Sequence, residues 1–150
     1  MNKMTSLLAI ATLSVSFSMV THSSFADSAL ITERKANFSK GAQQMRQMRA
    51  QFQAGDYAAI QTSADAIANW AASMTDYFPE STSPEKAAVK TSASASIWQR
   101  FDEFSALAAN HEAAARALSL AAADGNADDI MAKMQAMGKR CGACHSQFKN

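Results

Sequence analysis

The sequence predicts an all-α protein, an antiparallel four-helix bundle, and three observations carry that expectation. Ala and Met are abundant while strand formers are sparse, so residues that cost little in a helix dominate the chain. Only two Pro stand in 150 residues, and both fall where the apolar periodicity also breaks. Between such breaks, apolar residues recur at alternating threes and fours over four long stretches. The length suits one domain. With 48% hydrophobic and 18% charged residues, the composition is far from that of a disordered chain.

Residues 1–26 read as an address. Lys3 gives a positive start, Leu7 to Val20 is mostly apolar, and Ser24-Phe25-Ala26 has the small-x-small form of a cleavage site, the layout of a secretory signal peptide. The apolar run is shorter than the roughly 20 residues a membrane span needs. Cleavage after Ala26 leaves a mature chain of residues 27–150. The precursor's formal charge of +1 includes Lys3, so the mature chain has equal numbers of basic and acidic side chains. Lys and Arg are scattered, so the electrostatic footprint of a nucleic-acid binder is missing. The mature chain is expected to be periplasmic, with no membrane insertion.

The first helix is expected over Ser28 to Phe52, with Ile31, Arg34, Phe38, Ala42, Met45 and Met48 along its stripe. Ala54-Gly55-Asp56 breaks it, Gly55 stopping one helix and Asp56 capping the next. The second helix, Tyr57 to Tyr77, carries Ile60, Ala64, Ile67, Ala71 and Met74 on one face. Pro79 and Pro84 end it and mark the longest connection. The third begins between Glu85 and Ser96 and runs to Ala123, with Ile97, Phe101, Phe104, Ala108, His111, Ala115 and Leu118 as its stripe. After the turn Asp124-Gly125-Asn126, the fourth spans Ala127 to Lys149 and aligns Ile130, Met134, Met137, Cys141, Cys144 and Phe148. Two short turns and one longer link suit antiparallel neighbours.

The only two cysteines, Cys141 and Cys144, are followed by His145. This C-x-x-C-H pattern is the attachment signature of c-type haem. Two thiols three residues apart share one side of a helix, so each can form a thioether with one vinyl group of a single porphyrin. The adjacent imidazole can then reach the iron. A thioredoxin-like pair belongs after a strand at a helix start, whereas this motif ends a helix. A zinc site would need further ligands, and His111 is the one other His in residues 27–150.

The motif's position at the C-terminal end of a four-helix chain resembles the cytochrome c' family. The resemblance extends over Ile31 to Arg34, Ile97-Trp98 with Phe101, the turn at Asp124-Gly125, and Met137 to Phe148. It implies one covalent haem c per chain, held by Cys141 and Cys144 with His145 as iron ligand. It implies that Arg34 approaches a haem propionate and that Phe38 covers the distal face. Arg34 lies on the apolar stripe, where a lone charge needs a partner, with snorkelling to water as the alternative. The family's basic residue four positions after the ligand is matched by Lys149, a point charge without the planar fork of Arg.

A blocked sixth position at Phe38 implies a five-coordinate iron that binds the gases NO and CO and can change redox state. The alternative is a six-coordinate, low-spin electron carrier. Met45 and Met48 share the Phe38 face but lie two turns and more along the axis. His111 reads as a core or surface residue. No distal acid or base is evident, so no enzyme activity is expected. A redox partner of unspecified identity is expected, as is a homodimer through the first two helices, to which Tyr57 and Trp70 could contribute from their outer faces.

Overall fold

The structure, a computed structural model, describes residues 20–150. The signal-peptide reading therefore lies, up to residue 19, outside the described residues. Five helices follow in order: α1 (Val20–Gln53), α2 (Tyr57–Ser73), α3 (Ser96–Gln99), α4 (Phe101–Asp124) and α5 (Ala127–Phe148). With α3 and α4 taken as one broken rod, they make the expected four-helix bundle.

The local chemistry explains both the matches and the shifts. Helix α1 starts before the expected Ser28, because Val20 to Asp27 contains neither Gly nor Pro to stop propagation. Asp56 caps α2 by accepting from the Ala59 N–H at 3.0 Å, and Asn126 caps α5 by accepting from Asp129 at 3.1 Å. The expected second helix tightens at Met74–Tyr77 into a 3-10 turn just ahead of Pro79. The third helix begins at Ser96 and breaks at Arg100 (φ −131°, ψ 48°). There the Arg100 side chain pairs with Glu103 at 2.9 Å and lies 4.7 Å above the Phe148 ring. The break corrects one core assignment: Phe101 is exposed while Phe104 is buried.

The bundle is tightest where side chains are smallest. Ala64, Ala68 and Ala115 are fully buried together with Met48, Ile60 and Leu118 in the lower core, and α2 packs most closely on α4. The upper core is aromatic, with Phe78, Phe104 and Phe148 in edge contacts at centroid distances of 4.7 and 5.7 Å. By contrast α1 and α5 scarcely approach each other along their backbones. The long link is strapped to the end of α5. Ala93 pairs with Lys149 as an isolated antiparallel bridge, Ser94 N–H donates to Phe148 O and Asn150 N–H to Ser92 O, both at 2.9 Å.

Gly125 ends α4 in the left-handed region (φ 76°), with open space where a Cβ would stand. Gly125→Ala therefore isolates the backbone term. It should lower stability by about 1 kcal/mol, seen as a lower urea midpoint with an unchanged denaturant slope.

Candidate functional site

The opening between α1 and α5 forms a cleft with two lobes. The outer lobe, about 390 Å³, is lined by Arg34, Phe38, Phe78, Thr91, Cys144, His145 and Lys149 among others. The inner lobe, about 270 Å³, adds Met45, Trp70, His111 and Cys141. Phe38, Ala42, Cys144 and His145 border both, so the lobes adjoin along one wall. Both are mostly apolar, and together they are of ligand-site size. All six residues singled out from the sequence thus line the same cleft.

The three motif residues reach it because α5 continues unbroken through the motif. Cys141 and Cys144 are half-buried free thiols, and burial pushes both above their ordinary pKa. Partial burial lowers the His145 pKa, and the nearby charge of Lys149 lowers it further. The imidazole is therefore held toward its neutral form, which is the metal-binding one. Lys149 is exposed, and its backbone N–H donates to His145 O at 3.2 Å.

Arg34 is buried at 2% exposure, so the snorkelling alternative is excluded. Its Nη1 donates to Tyr77 O at 3.0 Å and Thr82 Oγ1 at 3.1 Å, and its Nη2 to Thr91 Oγ1 at 2.9 Å. The guanidinium also lies 4.4 Å above the Phe78 ring. Burial lowers its pKa to about 10, so it keeps its charge at neutral pH. All three acceptors are neutral oxygens, and among the described residues no carboxylate pairs with it. A buried cation without a counter-anion, on the wall of an apolar cleft that carries C-x-x-C-H, fits a group that brings its own carboxylates. The donor set fits haem c on this ground as well as by motif.

Phe38 stands between the lobes, edge-on to Trp70 at 5.4 Å and to Phe78 at 6.5 Å. Two aromatic placements differ from expectation. Trp70 lines the inner lobe, and its Nε1 is buried with no hydrogen-bond partner. Tyr57 packs on Phe52 at 6.0 Å against the lower core. Neither is an outer-face residue, because the apolar arc of α2 is wide enough to include both. His111 also borders the inner lobe, its Nδ1 unpartnered and its pKa lowered by burial and then by His145. Thr82 and Thr91 were missed from the sequence. A hydroxyl in an irregular link carries no periodic signal, and only the position of Arg34 reveals their use.

Comparison with known proteins agrees in both sequence and fold. The family model for Cytochrome C' matches residues 29–149. A curated cytochrome c' from Rhodospirillum rubrum is 40% identical over 86 residues, 57% of this chain and 56% of that protein. The match thus spans little more than half the length of that relative. The crystal structure of cytochrome c' from Thermochromatium tepidum superposes with a TM-score of 0.74 at 28% identity, over 82% of this chain and 95% of that one. A nitric oxide complex of a cytochrome c prime variant from Alcaligenes xylosoxidans shares the fold, with a TM-score of 0.71 at 20% identity over 83% and 96%.

Thr82 is fully buried, accepting from Arg34 and donating to Pro79 O at 2.9 Å. Thr82→Val removes both bonds at nearly constant volume. It should destabilise the protein by about 1–3 kcal/mol, measured as a shift in the denaturation midpoint of the haem-loaded protein.

Proposed function

Because the chain belongs to the cytochrome c' family, we propose that it is an exported gas-binding cytochrome whose haem iron takes His145 as its one protein ligand. The cofactor of this family is covalently bound haem c. When bound, it supplies an iron that can change oxidation state and bind diatomic molecules. In this reading Cys141 and Cys144 would hold the porphyrin through thioethers, Arg34 would neutralise a propionate, and Phe38 would keep the remaining iron position free of a protein ligand. The observation that carries the reading is Phe38 in the wall shared by the two lobes, because a phenyl ring has no lone pair to offer iron.

Two facts weigh against the six-coordinate alternative. Met48 is fully buried in the lower core and borders neither lobe. Met45 reaches the inner lobe, but its Cε lies 4.0 Å from where a Cβ on Gly138 would stand, beside α5 ahead of the motif. A crowded apolar face favours NO and CO over anionic ligands, and the Alcaligenes relative has been solved with nitric oxide. In this reading the role is gas binding and redox change, served by a redox partner of unspecified identity. A homodimer is part of the proposal, and a related cytochrome c' shows ligand-controlled dimer dissociation. Residues 1–26 serve as the leader and 27–150 as the periplasmic protein. No helix among the described residues is long and apolar enough to cross a membrane.

The ferrous protein should give a high-spin optical spectrum that shifts on adding CO. A low-spin spectrum with sharp split bands, indifferent to CO, would refute the Phe38 role. Phe38→Ala should speed CO association by about tenfold, equivalent to roughly 1.4 kcal/mol of barrier, as followed by stopped-flow or flash photolysis. Covalent haem should survive that substitution and be lost in Cys141→Ala/Cys144→Ala, as read by haem staining of a denaturing gel.

A further inference from the structure

Trp70 and Tyr77 connect the cleft to the surface in two steps. The indole borders the inner lobe and makes no hydrogen bond through Nε1. Its ring meets that of Tyr77 edge-on, with centroids 4.9 Å apart. The Tyr77 hydroxyl in turn donates to Glu33 Oε1 at 2.9 Å, on an exposed carboxylate of α1. The other tryptophan is tied up differently: the Trp98 N–H donates to Phe78 O and Pro79 O at 3.0 and 3.1 Å.

Indole and phenol are among the side chains that give up one electron most readily. A phenol that loses an electron becomes strongly acidic, so its oxidation is easiest when a base already holds the hydroxyl. Glu33 is such a base. That hydrogen bond first, then desolvation and the charges of Glu33 and Asp76, also raises the Tyr77 pKa, so the phenol keeps its proton until it is oxidised.

We propose that Trp70 and Tyr77 form a route that carries an oxidising equivalent from the haem cleft to the surface, with Glu33 as proton acceptor. The route rests on the cleft holding haem and not on gas binding. Hydrogen peroxide is the oxidant. With haem held by Cys141 and Cys144 and oxidised by peroxide, Trp70 would supply it one electron and Tyr77 would refill the indole. The phenolic proton passes from Oη to Glu33 Oε1, leaving a neutral tyrosyl radical and a protonated carboxyl. A one-electron reductant of the ascorbate class returns the electron to the tyrosyl radical, and Glu33 returns the proton to Oη. Two passages supply the two electrons that, with two protons, convert one peroxide to two waters.

The chain has two tyrosines, Tyr57 and Tyr77, which makes the test direct. Ferric haem-loaded protein is mixed with hydrogen peroxide, freeze-quenched and examined by electron paramagnetic resonance. The wild type should show a tyrosyl signal that Tyr57→Phe keeps and Tyr77→Phe loses in favour of an indole-type signal. Glu33→Gln should lower the tyrosyl yield several-fold. An unchanged optical spectrum in each variant separates loss of the route from loss of haem. No tyrosyl signal in the wild type, the same signal in Tyr77→Phe, or its loss in Tyr57→Phe would each overturn the proposal.

Discussion

Burying the Arg34 guanidinium shapes the upper half of the molecule. A cation taken out of water must recover hydrogen bonds or the fold loses several kcal/mol. Helix α1 cannot supply them, since its own carbonyls are used along the helix. The acceptors come instead from Tyr77 O at the tightened end of the second rod and from Thr82 and Thr91 in the long link. Meeting that demand draws the link across the mouth of the bundle. Once there, Ser92 to Ser94 lie beside the end of α5 and bond to Phe148 and Asn150. The link that satisfies the cation thus also forms part of the wall around His145.

The same bundle must be closed at one seam and open at another, and side-chain size decides which. Alanines at Ala64, Ala68 and Ala115 let α2 and α4 approach closely, and Ile, Leu and Met side chains fill the lower core around them. Across the cleft, α1 presents Phe38 and Met45 while α5 presents its thiols and imidazole. These longer groups keep α1 and α5 apart, and the apolar space between them suits a flat apolar ring.

How much of this was legible in the sequence follows from which features repeat. The rods were readable from their stripes, as Ile60, Ala64, Ile67 and Ala71 show by all being buried. C-x-x-C-H was readable because its spacing is fixed by the porphyrin it must reach. The break at Arg100 was not, since no Gly or Pro marks it; its gains, the contacts with Glu103 and Phe148, are visible only in three dimensions. Trp70 was misplaced for a related reason. A stripe gives the centre of the buried arc but not its width, and an open cleft widens it. The bonds from the link were hidden because irregular backbone has no period.

Lys149 illustrates how charge can act where geometry does not. The end of a helix favours cations by about 0.3–1 kcal/mol, which alone would draw a proton onto His145 in the last turn of α5. Partial burial and the ammonium of Lys149 both oppose this, and the balance lowers the His145 pKa. An exposed Lys cannot stack on the imidazole or grip it with a planar fork. Its charge acts without contact, adding to burial in disfavouring the imidazolium. Its backbone meanwhile closes the end of α5 through His145 O and pairs with Ala93. The side chain of Lys149 thus adds its charge to the effect of burial on His145, while its backbone ties the end of α5 to the link.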